Sequence, residues 1–513
     1  MEAIRGGAPM LSLPTEITIS VFRKAKLKTL LRCAQVCRYW YMLVRDNLEL
    51  QYQIELEAHG VQDNCPIEMS LVERLQLLRR KQIAWRTGTA GDMLSVMKLP
   101  RSAPTTWAFN GNSIAYVDEA ARMVHYKQLG ADSVSAEDCM WPLPDMGASL
   151  TLSLDPDQDL LAIASLDTVM LSIHSATLAE DGRSSSPFTN FRRIATSGLR
   201  QQPISGRSPA SISDTAVWNW KTGVLQKRIG GPRTNMEFVT NDLGMMWDPR
   251  ISINNGFAGG LVVHVVQKNA SALWSLSGQD YNYALLMPSF LFEFPDFGRH
   301  EVRIYSPHQT HHQSSVFPPA LDADHLIILD TSEFNELFGM RTRRLLISHS
   351  KLVAKLQKRR DNRRRHVLPW DEWKACVVWA SEKTRRDVFE PQMTAGMRYV
   401  EQAPPSMDDS STSFDILDFE PRRAARAMSA GAYPGESLVH TSCFSNDELV
   451  VRHPYLSRRV KVRLDPRSWL SAHLITDEGL FVVSPNISPT GIQNGILTVS
   501  VVPFAENIEN PSS

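Results

Sequence analysis

The chain has 513 residues, about three domain equivalents, enough to build a sizeable core that does not depend on disulfides. Its 55 basic and 55 acidic residues cancel to a formal charge of +0, with a sequence pI near 7.2. No long-range field therefore draws it to nucleic acid or anionic membrane, and any such contact has to be local. With 43% hydrophobic and 21% charged residues and a mean hydropathy of −0.23, the composition excludes overall disorder and a membrane bundle, and reads as soluble and globular.

The opening residues carry Pro9 and Pro14 with no uninterrupted apolar stretch before them, unlike a secretory signal. No later segment approaches the ~18 consecutive apolar residues that a spanning helix needs. The expected location is cytoplasmic, nuclear or both. Of the six cysteines (Cys33, Cys37, Cys65, Cys139, Cys376, Cys443), only Cys33 and Cys37 are close in sequence, so reduced thiols are expected, and the sequons at Asn269 and Asn486 are idle.

From about Leu11 to Arg86 the residues are Leu, Arg, Glu and Gln with almost no Gly, which predicts helices. Pro14 suits a first helical position and Glu16 the positive end of the helix dipole. Leu27, Leu30, Leu31, Ala34, Cys37, Trp40, Tyr41 and Val44 recur every three or four residues, which predicts a second helix with one apolar stripe. From Leu48 to Glu57 apolar and polar residues alternate as in a strand. Helix formers dominate the segment, however, and Gly60 offers a stop, so a short helix is predicted. Ser70 and Glu73 form a capping box ahead of Leu75, Leu78 and Trp85.

Beyond about Gly88 the texture changes to short β-branched or aromatic runs bounded by Gly, Pro, Asp and Asn, such as Ser113–Val117, Leu160–Ala164, Leu261–Val266 and Leu326–Asp330. About 25 such runs between Thr105 and Val502 would fill about six propeller blades of four strands. The clearest unit is Val217-Trp218-Asn219-Trp220-Lys221-Thr222-Gly223 followed by Val224-Leu225, a strand, a turn and a returning strand. Weaker echoes are Leu326–Asp330 and Phe414–Phe419. If the region closes on itself, C-terminal strands such as Gly495–Val502 must pair with strands from its start. The stretches Glu180–Thr215, Lys358–His366 and Gln402–Ser413 read as mobile loops.

Leu13-Pro14-Thr15-Glu16-Ile17, Leu30-Leu31-Arg32-Cys33, Val36-Cys37-Arg38 and Trp40 resemble the F-box in residue type and spacing over about forty residues. The continuation to Trp85 is similar to the segment that follows the F-box in a large group of fungal F-box proteins. The VWNWKTG unit, the segment Val367–Trp373 and the ILDFEP segment extend that likeness loosely to the end. The resemblance implies docking to the Skp adaptor, and through it to a cullin, by Leu13, Pro14, Ile17, Leu30, Leu31, Val36, Cys37 and Trp40, while the remainder presents a protein client. Two features depart from the family. Lys24-Ala25-Lys26 replaces the usual aromatic or Leu and the Ser or Pro, removing a cap, and a Ser- and Pro-rich stretch stands where a strand would pair with VWNWKTG.

Competing chemistry is weaker. Cys33 and Cys37, one helical turn apart, read as small core residues rather than a metal site. His308, His311, His312, Asp322, Asp324 and His325 are ligand types for zinc in no recognisable spacing, and read as a polar loop. No nucleophile elbow, zinc-protease motif or phosphate-cradling Gly loop occurs, so no catalytic residue, metal or cofactor is assigned. The run Lys358–Arg365 is a candidate for nuclear import.

The expected architecture is α+β and multidomain: an F-box helical domain over 10–60, a helical linker over 61–87, and a large all-β, propeller-like domain over 88–513. The expected function is a non-enzymatic substrate-recognition subunit of an SCF-type cullin-RING ubiquitin ligase. The alternative is an F-box scaffold or regulator with no ubiquitination client.

Overall fold

The computed structural model describes residues 13–87, Phe317, and the strands and helices between Leu94 and Pro503 with parts of their connections. Residues 359–365, most of Glu180–Thr215 and Gln402–Ser413, and His308, His311, His312 and Asp322 lie outside the described residues. The chain divides into a helical unit, residues 13–87 with Phe317, and a sheet-rich unit comprising the other described residues.

Five helices make up the helical unit: α1 (Thr15–Arg23), α2 (Leu27–Val36), α3 (Arg38–Asp46), α4 (Leu48–His59) and α5 (Leu71–Thr87). Pro14 sits one place earlier than expected. With ψ 145° it is the cap of α1, and its carbonyl accepts from the N–H groups of Ile17 and Thr18, both at 3.1 Å. The single helix expected across Leu27–Val44 is broken at Cys37, which is extended at φ −155° and ψ 159°. An unbroken helix would hold its ends ~26 Å apart. Folding back instead brings Leu30 of α2 and Val44 of α3 into one core with Phe22 and Leu50, where Trp40 packs edge-on against Phe22 at 5.6 Å.

The ambiguous Leu48 segment is the helix α4. Asn47 Oδ1 accepts from Leu50 N at 3.0 Å at its start, and Gly60 at φ 63° ends it in the left-handed region where a Cβ would be strained. The Ser70–Glu73 box forms as expected: Ser70 N donates to Glu73 Oε2 at 2.8 Å and Glu73 N to Ser70 Oγ at 3.3 Å. Tyr52, Leu75, Leu78 and Phe317 make a second small core.

In the sheet-rich unit, consecutive strands pair antiparallel into successive sheets. Two four-stranded sheets are Trp107–Asn110, Ser113–Asp118, Met123–Gln128 and Cys139–Pro142, then Leu150–Asp155, Leu160–Ser165, Met170–Ser175 and Ile194–Ala195. A third is His300–Tyr305, Leu326–Asn335, Gly339–Ser348 and Val377–Lys383. The strand Leu94–Pro100 pairs with Gly491–Pro503, matching Leu94 with Val501 and Leu99 with Leu497, so the two ends of this region share one sheet. The early partner lies ahead of Thr105, where the first strand was expected. Ser213–Asn219 pairs with Val224–Gly231, the hairpin read from VWNWKTG, and among the described residues it forms a two-stranded sheet.

The region is not all-β, which corrects the expectation. Helices α6 (His349–Gln357), α7 (Trp370–Trp373) and α8 (Pro421–Ala430) interrupt it. Helix α6 is capped by Ser348 Oγ, which accepts from Lys351 N at 3.3 Å, and buries Leu352 and Leu356, one turn apart. Helix α8 starts with Pro421 at its first turn and buries Ala424 and Ala427. Each apolar stripe is only two residues long, too short to stand out as a period in the sequence. Past α6, His366–Leu368 adds a parallel fifth strand beside Tyr283–Leu286.

Alternation along interior strands feeds two cores. Ile327, Leu329, Leu345 and Ile347 join Leu352, Leu356 and Trp373. Leu326, Ile328 and Leu346, on the opposite face, join Trp379, Tyr399 and Phe419. The central strands are thus apolar on both sides, the pattern of a sheet with layers on each face.

Candidate protein-docking surface

The residues singled out for adaptor docking fall into two groups. Leu30 is 0% exposed and belongs to the interior of the helical unit, and the half-buried Trp40 packs against the same core. Leu13, Pro14 and Ile17 are exposed at the start of α1, as is Leu31 in α2. Val36 is 67% exposed just before the break, and Cys37 is half-buried at the break itself. Leu30 and Leu31 separate because adjacent helical positions are rotated by about 100°, and only one can face the core.

Three exposed apolar residues were not singled out: Val21 on α1, and Tyr39 and Tyr41 on α3. The Tyr39 hydroxyl hydrogen-bonds the Thr15 hydroxyl at 3.0 Å, joining α3 to the first turn of α1. The Leu27–Val44 stripe includes Tyr41 and leaves out Tyr39; both flank Trp40, which packs against the core, and both are exposed.

The lost cap at Lys24-Ala25-Lys26 is replaced from another helix. Lys26 makes no side-chain cap bond, but Glu57 Oε2 on α4 accepts from Leu27 N at 2.7 Å. Gln53 Nε2 donates to Ala25 O at 3.0 Å and to Glu57 Oε1 at 3.2 Å, and Arg23 pairs with Glu49. A carboxylate on the N–H groups of α2 also complements the helix dipole. The turn between α1 and α2 is thereby clamped by α4, which holds the exposed residues on α1 and α2 in fixed relation.

In the sheet-rich unit several described polar side chains tie its strands and helices together. Arg344 donates to both oxygens of Asp330 at 2.6 Å and to the Tyr399 hydroxyl at 2.6 Å, with both charged side chains buried. Asp324, one of the zinc-type residues weighed above, accepts from Ser348 Oγ at 2.6 Å and Ser350 N at 2.7 Å at the start of α6. His325 stacks on His349 at 3.9 Å. Among the described residues no group of three metal-ligating side chains converges, and no helix is long and apolar enough to cross a membrane.

Residues 10–56 match the F-box-like family. The chain therefore carries an F-box-like domain at its N-terminus, followed by a sheet-rich region. Among solved structures, the WD40 domain of Toxoplasma gondii coronin aligns over 80% of this chain and 85% of its own, at 11% identity and a TM-score of 0.32. The WD40 domain of SCAP from fission yeast aligns over 80% of this chain and 96% of its own, at 8% identity and a TM-score of 0.27. No curated protein matches the chain.

Proposed function

We propose that this protein is a substrate-recognition subunit of an SCF-type cullin-RING ubiquitin ligase, with no catalytic site of its own. The observation that carries the reading is the F-box-like match over residues 10–56 together with the apolar residues left exposed within it, among them Leu13, Ile17, Leu31 and Val36. Exposed apolar side chains of this kind are what a docked adaptor would cover. F-box domains bind the Skp adaptor, and the adaptor bridges to the cullin. The domain layout is an F-box over 10–60, a linker over 61–87 and a propeller-like client platform over 88–513. Support for the platform comes from the succession of antiparallel four-stranded sheets and from the pairing of Leu94–Pro100 with Gly491–Pro503. The client is a protein, and the compartment is cytoplasmic, nuclear or both.

The test is adaptor capture by the full chain carrying Leu31→Asp and Val36→Asp. Both positions are exposed, so the fold survives while charge is buried unpaired at the interface, and capture drops to background. Capture at the wild-type level excludes docking by this face. Cullin inhibition separates receptor from scaffold: a client that accumulates with the chain supports the receptor, and unchanged partners overturn it.

A further inference from the structure

Phe317 lies in sequence between the strands His300–Tyr305 and Leu326–Asn335 of the sheet-rich unit, yet it belongs to the helical unit. It is 1% exposed, in a cluster with Tyr52 of α4 and Leu75 and Leu78 of α5, bordered by Leu48, Leu56, Val61, Cys65 and Leu71. A wholly buried aromatic ring displaces water from all of these neighbours, and its removal would leave a ring-sized void between two helices. In the sequence Pro318 and Pro319 follow directly, so the unfolded segment has less freedom to lose when the ring is seated.

We propose that α4 and α5 form a socket for an aromatic residue and that Phe317 is its resident ligand, an anchor by which a segment distant in sequence completes the helical unit. The helical unit is then discontinuous in sequence. Among the described residues, the chain leaves the helical unit after Thr87, returns to it at Phe317 after Tyr305, and leaves it again before Leu326. The later passages are short: twelve residues from Tyr305 to Phe317 and nine from Phe317 to Leu326, with maximal reaches of ~42 and ~32 Å.

Amide hydrogen exchange on the full chain tests the anchor, comparing wild type with Phe317→Leu, Phe317→Val and Phe317→Ala. Exchange in α4 and α5 should rise in that order, by about tenfold or more for Ala, because local opening no longer has to expel a ring. Exchange in Leu326–Asn335 and Gly339–Ser348 should stay at the wild-type rate. Protease cleavage between Thr87 and Leu94 should rise in parallel. Unchanged exchange in α4 and α5 across the series overturns the proposal, and so does an equal rise in both units, which would mark Phe317 as a general core residue. If the Ala variant does not fold, the Leu and Val variants carry the same reading. Adaptor capture is recorded alongside. The exposed residues of α1 and α2 are untouched, so capture by these variants should equal that of wild type. A wild-type chain that captures no adaptor removes the functional reading and leaves the anchor standing.

Discussion

Three charged clusters show how the partners that folding supplies decide what a side chain does. Glu57 accepts from Leu27 N across thirty positions and stands in for the cap that Lys26 lacks. Glu57→Ala should lower the stability of the helical unit by about 1 kcal/mol, and Glu57→Gln by less because an acceptor remains, as read by urea denaturation. The Arg344–Asp330 pair is buried and bidentate, with Tyr399 as a further acceptor. Asp330→Asn removes the bidentate carboxylate from the buried guanidinium and should cost about 3–5 kcal/mol, while replacing both partners with apolar residues of similar size should restore much of the loss. At Asp418, burial acts to raise the pKa, but Arg423, Arg398 and the N–H of Glu420 outweigh it and the pKa is lowered. Its folded pKa therefore lies below the unfolded value of about 3.9, so its contribution is complete above that value and is lost as pH falls through the folded pKa. Thermal melts between pH 6 and pH 3 should show this acid-side loss in wild type and a flatter profile in Asp418→Asn. An unchanged profile would mean that the Asp418 cluster does not govern acid stability. Glu420 works in the opposite sense, raised by burial and by Asp418 itself, so part of its effect should vanish in the same variant.

At the scale of elements, the break at Cys37 is what makes α2 two-sided. Leu30 turns inward to Phe22, Val44 and Leu50, while Leu31 stays out. Leu30→Ala should cost about 2–5 kcal/mol and loosen the helical unit as a whole. Leu31→Ala should change stability by less than about 0.5 kcal/mol yet weaken adaptor capture. Denaturation curves and capture assays on the same two variants separate fold from docking. The sequence supplied both residues as one stripe because a period of three to four over Leu27–Val44 does not reveal a break inside it. Helix α4 went the other way: its period of two was misleading, and its composition, Asn47 cap and Gly60 stop carried the information. In α6 and α8 two buried residues per helix were too few to show a period between neighbouring strands.

At the scale of the molecule, the strand Gly491–Pro503 holds Leu94–Pro100 on one side and Gly479–Ser488 on the other. Cutting the chain before Gly495 removes every residue that pairs with Leu94–Pro100 and uncovers two strand edges. The truncated protein should aggregate and lose cooperative unfolding of the sheet-rich unit, while adaptor capture through the helical unit persists. Light scattering and capture on the same sample check both halves. A truncated chain that stays monodisperse and melts as before would mean that these strands do not close the region.

Local information was enough wherever the deciding partners are neighbours in the chain. The Ser70–Glu73 box, the Gly60 stop, the hairpin of Ser213–Asn219 with Val224–Gly231 and the F-box-like spacing from Leu13 to Trp40 all follow from residues a few positions apart. The sequence by itself therefore determined the helical texture before about Gly88 and the strand texture beyond it, and it indicated the N-terminal domain. Only the tertiary structure decided that Leu30 is core and Leu31 surface, that Glu57 caps α2, that Leu94–Pro100 pairs with a strand almost four hundred residues away, and that Phe317 belongs with α4 and α5. In each case the choice depends on which surfaces meet in space. A glutamate, a short apolar strand or a lone Phe has the same local pattern whether its partner is present or absent. Burial and hydrogen bonding at a distance are energies of the assembled fold, and no window of neighbouring residues contains them.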